Sequence, residues 1–171
     1  MDISQFKNKL GAGGARPNQF LVTLTFPAAV GAGASDDSLL VTAAALPASN
    51  VNPTVVTYRG REIKLAGERT FDPWTITVLN DTTMRLRQLF ESWSNLMNNF
   101  VDNGGSLAPS SYMCDLEVAQ LDRNDAVIRK YTIYNAFPIT VSEVGLAYSA
   151  NDVISEFNVT FQYIHFEVSP A

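Results

Sequence analysis

The chain has 171 residues, with 12 basic and 17 acidic side chains and a formal charge of -5. A chain of that length forms one domain and can bury about two-thirds of the surface its unfolded form exposes. Its acidic balance argues against tight, counterion-releasing binding to nucleic acid. The lone Cys114 excludes an internal disulfide or a multi-cysteine metal site and fits a reducing compartment.

Charged residues make up 17% of the chain against a usual value of about 25%. So much neutral surface fits either an oligomer, whose interfaces are poor in charge, or a large core. No apolar run reaches membrane-spanning length, and MDISQFKNKL lacks the continuous apolar stretch of a signal peptide. The protein is therefore expected to be cytoplasmic or assembled there, with no membrane insertion.

Residues 1–19 carry Phe6 and Leu10 and then GAGGARPNQ, whose Gly11, Gly13 and Gly14 make the stretch flexible. It reads as a frayed terminus or as an arm that docks on a neighbouring copy through Phe6 and Leu10. GAGG is not a phosphate loop, because no GK[ST] follows and no strand precedes it. Phe20–Phe26 alternates as a strand, with Phe20, Val22, Leu24 and Phe26 on one face. Asp36 and Asp37 read as a solvated turn, and Leu39–Ala45 as a second, weaker strand closed by Pro47.

Pro53 breaks a polar stretch, after which Val55–Tyr58 and Arg61–Leu65 read as short strands around Gly60. Gly67 marks a turn. Trp74, Ile76 and Val78 share one face of the strand WTITVL, and Asn80 or Asp81 is placed to cap the helix that follows. Leu86, Leu89, Phe90, Trp93, Leu96, Met97 and Phe100 recur at spacings of three and four, which predicts a helix with one face buried against a sheet. Strands resume with Tyr112–Leu121, a turn at LDRND and a hairpin partner at Ala126–Phe137, ended by Pro138. Val153–Val168 reads as one long strand whose alternation changes phase near Tyr163, signalling a bulge or a change of packing partner. The pattern is mainly β with a single long helix.

Catalytic chemistry needs convergent titratable groups, and none is visible. His165 has no second histidine or HExxH to complete a metal site and reads as a surface or interface imidazole. Cys114 reads as a buried inert thiol, and no serine sits in a GxSxG elbow. The tyrosines 112, 131 and 134 lack the basic patch that base stacking needs. Neither an enzyme nor a cofactor is expected.

ARPNQFLVTLTF (15–26), AAALPAS (43–49), RGREIKLAGERTFDPWTITVLND (59–81), LRQLFESW (86–93) and EFNVTFQYIHFE (156–167), in this order and spacing, resemble the tail tube proteins of T4-like contractile bacteriophages. The resemblance implies an antiparallel β-sandwich or rolled β-barrel with one flanking α-helix, spanning residues 1–171 as a single domain. It also implies a virion component assembled in the host cytoplasm. Sixfold rings would join their inner sheets into one barrel and stack into a hollow tube, with a sheath protein outside and baseplate and terminator proteins at the ends. Double-stranded DNA would pass through without specific binding.

On that resemblance, residues 1–19 form an arm and 47–65 an inter-ring loop. Phe6, Leu10, Arg59, Arg61, Glu62, Lys64, Glu68 and Arg69 would make contacts between copies, and Phe71 and Trp74 would anchor the segment to the body. Phe71–Asn80 would be body strand and Thr82–Phe100 the sealing helix. A wall that lets DNA slide should carry acids and hydroxyls, and Asp115, Glu117, Glu156, Thr160 and Gln162 are the candidates; they could equally face solvent on the exterior. A tube-capping or baseplate-adjacent paralogue, an injection-system inner tube protein and a soluble β-sandwich binding module remain open alternatives.

Overall fold

Apolar residues at every second position give a strand one buried face, and here seven strands share that face in a single rolled antiparallel sheet. The computed structural model describes residues 2–10, 14–31, 33, 37–106 and 108–170. Gly11, Gly13 and Asp36 lie outside the described residues. In chain order the elements are α1 (Ile3–Leu10), β1 (Phe20–Thr23), β2 (Val41–Ala44), β3 (Ser49–Tyr58), β4 (Arg61–Phe71), β5 (Trp74–Leu79), α2 (Arg85–Met97), β6 (Cys114–Leu121), β7 (Val127–Val141), β8 (Glu156–Gln162) and β9 (His165–Pro170). The main sheet has the order β1-β6-β7-β8-β5-β2, with β9 also on β7, while β3 and β4 form a separate two-stranded ribbon.

Strand β7 makes the roll. Its first part pairs with β6 and β9, and its last part, from Phe137 to Val141, pairs with β8. Between them Asn135 adopts a positive φ of 55°, and its amide donates to Asp115 Oδ1 at 3.0 Å. The ladder shifts there, so the strand bends without leaving that amide unpaired. Pro138 does not end the strand as expected. It sits beside a second register shift, where a missing N–H is tolerated. The expected long final strand is two strands: β8 lies between β5 and β7, then the chain breaks at Tyr163-Ile164 and β9 pairs with the other end of β7. The phase change read near Tyr163 is that transfer.

The inner face of the roll carries Val22, Leu116, Val118 and Ile133 from one half and Trp74, Ile76, Val78, Phe157, Val159 and Phe161 from the other. Helix α2 lays Leu86, Phe90 and Trp93 onto them, with Leu89 and Met97 packed at the margin and Leu96 half-buried. Phe90 meets Phe26, Phe157 and Phe161 at ring distances of 5.2, 6.1 and 6.0 Å. The buried indoles do not sacrifice their N–H groups: Trp93 donates to the Tyr112 carbonyl at 2.7 Å and Trp74 to the Ala45 carbonyl at 2.6 Å.

Several local expectations fail for identifiable reasons. The residue capping α2 is Met84, in a left-handed conformation without a side-chain cap, rather than Asn80 or Asp81. Asp81 still reaches the Arg85 amide, at 3.2 Å, so it serves the helix start from outside it. The helix stops before Phe100, which is 70% exposed. Asp37 is not solvated: it is 5% exposed within a 3-10 turn (Asp37–Leu40) and pairs with Arg85 at 2.6 Å. Phe26 is buried although the β1 ladder ends at Thr23, and Tyr112 precedes β6 rather than belonging to it. A second helix, α1, occupies the stretch read as a flexible arm; it is too short for its amphipathic spacing to stand out from the sequence.

Phe90→Ala is expected to cost about 3–5 kcal/mol, because it empties the junction of helix and sheet. Urea unfolding of the unassembled subunit, followed by tryptophan fluorescence, measures this. Tyr58→Ala, out on the ribbon, should change stability by less than about 0.5 kcal/mol in the same assay.

Candidate assembly surface

The ribbon of β3 and β4 reaches away from the sealed core. Its two strands pair from Ser49 opposite Phe71 to Tyr58 opposite Arg61, about 30 Å at ordinary strand rise. The turn has two residues, Arg59 and Gly60, with φ of 47° and 80°; positive φ at both positions matches the twist of a hairpin. The region expected as a loop over 47–65 is therefore part of a β-hairpin that extends to Phe71. Pro53 does not break β3, and Gly67 lies inside β4 rather than at a turn.

Nearly every residue of the ribbon is exposed. Directly paired residues share a face, so Tyr58 and Arg61, Val56 and Ile63, and Thr54 and Leu65 make one face, and Thr57, Glu62, Val55 and Lys64 the other. The first face is apolar but for the Arg61 head group and a threonine. Arg59 stacks its guanidinium over the Tyr58 ring at 5.4 Å. Among the described residues, Arg59, Arg61, Glu62, Lys64 and Glu68 form no ion pair within the subunit. At the base, Arg69 donates to Ser49 Oγ at 2.9 Å, Asn50 donates to Asp72 at 2.8 Å, and Phe71 packs on Phe166 and Tyr163 at 5.5 and 5.7 Å. Phe71 thus anchors the ribbon from the end of β4, whereas Trp74, 2% exposed, belongs to the core through β5. Asp72 and Pro73 separate the two, so the body strand starts at Trp74.

Other apolar side chains stand in the open. Ile3, Phe6 and Leu10 on α1 are all exposed, as are Val101 beyond α2 and Leu146, Tyr148, Val153 and Ile154 in the loop before β8. Alternation placed Val153 and Ile154 in the expected final strand, which instead begins at Glu156, and it did not single out Leu146 or Tyr148, which belong to no periodic element. Their signal is only visible as accessible surface on the folded chain.

The proposed wall residues all lie on the outward face of the roll, but on different halves of it. Glu117 pairs with Lys130 at 2.6 Å, and Asp115 braces the β7 bend. On the other half Thr160 and Thr75 share a hydrogen bond of 3.0 Å, beside Thr77 and Asn158 at 2.8 Å. Glu156 and Gln162 flank Thr160 on the same strand face. Among the described residues no group of three or more His, Cys, Asp and Glu could hold a metal ion. His165 stacks on Tyr134 with ring centres 4.8 Å apart. Burial, with Asp115 adding to it, pushes the half-buried Cys114 thiol up, away from the reactive thiolate.

Residues 15–169 match the family model of phage tail tube proteins. The chain is 32% identical over 157 residues to tail tube protein gp19 of Enterobacteria phage T4, covering 90% of this chain and 91% of that one. It is 28% identical over 165 residues to the tail tube protein of Serratia phage KSP90, covering 94% and 93%. A chain of the PVC sheath-tube complex of an extracellular contractile injection system, in the extended state, shares its fold with a TM-score of 0.64 at 13% identity, over 100% and 99% of the two chains. A chain of the anti-feeding prophage baseplate also gives 0.64, at 12% identity over 91% and 95%.

On the outward face, burial and the nearby Glu167, whose carboxylate accepts the Tyr134 hydroxyl at 3.2 Å, push the Tyr134 phenol above its ordinary value of about 10. A raised phenol pKa means that the neutral form is favoured on folding. Its contribution to stability is present below pH 10 and is lost as pH rises through the folded value. Glu167→Gln should bring the Tyr134 ionisation down, while Tyr163, raised mainly by burial, stays where it is. Titration of the tyrosine ring carbons by NMR reads both.

Proposed function

The chain belongs to the phage tail tube protein family and is a structural subunit of a contractile tail, and we propose that its copies close into sixfold rings stacked through the β3–β4 ribbon. The observation that carries this reading is the ribbon itself: an apolar face of Val56, Tyr58, Ile63 and Leu65 exposed on an arm with no cover from its own body. Two strands alone are marginal in water, so a neighbouring copy completes the arm. Among the described residues, strands β1, β2 and β9 each keep one unpaired edge in the subunit, and ring closure would bury such edges.

In the stack, the apolar face of the ribbon supplies affinity, and Arg59, Arg61, Glu62, Lys64 and Glu68 fix register against the next ring. Arg69 ties the two strands together at the base of the ribbon through Ser49. Phe6 and Leu10 on α1 add a second contact between copies. A sheath protein surrounds the tube, and baseplate and terminator proteins meet its ends. Double-stranded DNA passes through the lumen without specific binding, and the subunit does no bond-making chemistry.

The lumen wall comes from the outward face of the roll. There Thr75, Thr77, Asn158 and Thr160 satisfy one another, and Asp115, Glu117, Glu156 and Gln162 give no net positive charge for phosphates to grip. A strongly positive lumen in an assembled ring would sink this assignment.

Negative-stain microscopy of the purified chain should show long hollow tubes. Isolated rings would favour a tube-end protein, and a dispersed monomer would overturn the ring reading. Arg61→Glu should leave the circular dichroism spectrum and melting temperature unchanged while raising the critical concentration for assembly about tenfold, a loss of about 1.4 kcal/mol of contact energy. Normal tubes from that variant would remove Arg61 from the interface.

A further inference from the structure

The ribbon has fixed points at both ends. At the tip, the turn needs its two positive-φ residues, Arg59 and Gly60, between Tyr58 and Arg61. At the base, Phe71 is packed on Tyr163 and Phe166, and Arg69 is bonded to Ser49. The strands between these points do not match in length. Pro53 pairs with Ala66 and Val51 with Arg69, so Asn52 alone faces two residues, Gly67 and Glu68.

A regular ladder would have to break one end. Holding the base pairs and sliding the distal half by one would pair Val56 with Lys64 and Thr57 with Ile63. Because strand side chains alternate, Ile63 and Leu65 would then move to the face opposite Val56 and Tyr58. The apolar face would be split in two, and the two-residue turn would be lost. The extra residue must bulge, and the bulge has room only for glycine. A Cβ at position 67 would lie 2.5 Å from the Asn52 carbonyl oxygen and 2.5 Å from Thr54 Oγ1, and the former is backbone that cannot rotate away. Pro53, next to Asn52, has no N–H to leave unpaired.

We propose that Gly67 is a positioning residue for assembly: its bulge reconciles the tip turn with the Phe71 anchor, and so gathers Val56, Tyr58, Ile63 and Leu65 on one face for a second copy of this chain. This rests on the stacking role of the ribbon. The register, rather than the glycine as such, is what matters, so two variants part company. Gly67→Val fills the bulge and forces the slip. Deletion of Gly67 removes the surplus residue and leaves Pro53–Ala66 and Val51–Arg69 paired in a regular ladder.

Assembly is followed by sedimentation and negative-stain microscopy, and the folded body by the near-UV circular dichroism of Trp74 and Trp93. Gly67→Val should raise the critical concentration at least about tenfold, while the deletion assembles near the wild-type concentration; both keep the near-UV signal. Tubes from Gly67→Val at the wild-type concentration overturn the proposal. So does failure of the deletion variant to assemble, or loss of the near-UV signal in either. Failure of the wild-type chain itself to form tubes would instead overturn the stacking role.

Discussion

The structure depends on one aromatic junction, where Phe90 and Trp93 of α2 meet Phe26, Phe157 and Phe161. A rolled sheet bent at β7 has an open inner face, and a thirteen-residue helix is what closes it. Each of these rings is close to fully buried, and each contributes on the order of 1.5–3 kcal/mol by leaving water. Edge-to-face contacts add to that and restrict how the helix can turn on the sheet. The indole N–H of Trp93, held by the Tyr112 carbonyl, ties the helix to the chain entering β6. The Asp37–Arg85 pair does the same at the other end of α2, joining its first turn to the segment before β2.

Because the core closes on itself, the ribbon joins it at the base, where Phe71 packs on Tyr163 and Phe166 and Asn50 bonds Asp72. Magnitudes decide what its two kinds of side chain are for. An exposed ion pair contributes up to about 1 kcal/mol, whereas covering a single valine, isoleucine or leucine contributes about 1.5–3 kcal/mol. In the proposed stack the apolar face would outweigh the charges as a source of affinity. The charges would discriminate between registers, since a misplaced like pair is repelled.

The elements with clean alternation or helical spacing were legible. Trp74, Ile76 and Val78, then Leu86, Phe90 and Trp93, then Phe157, Val159 and Phe161 are buried as their spacing predicts. The phase change near Tyr163 marked the transfer from β8 to β9. Prolines and glycines misled. Pro53, Gly67 and Pro138 read as breaks, yet each lies inside a strand at or next to a register shift, where an extra residue or a missing N–H is absorbed. Asp37 read as solvated because its partner Arg85 is 48 positions away. The charges of the ribbon were visible as a cluster, and alternation put Ile63 and Leu65 on one face; that Val56 and Tyr58 join them was not visible, because pairing across the turn decides which residues share a side.

What the amino-acid sequence determined by itself is which residues alternate, where one amphipathic helix must lie, and the order of blocks that marks a tail tube protein. These depend on neighbours a few positions apart or on the succession of blocks along the chain, so a linear reading reaches them. Only the tertiary structure decided that β7 bends to serve both halves of the roll, that Asp115 braces that bend, and that the ribbon stands free with Val56, Tyr58, Ile63 and Leu65 on one face. Each of these follows from pairing register between distant strands. Register is set by the balance of bulges, turns and anchors over the whole ladder, and no single segment of the chain carries it.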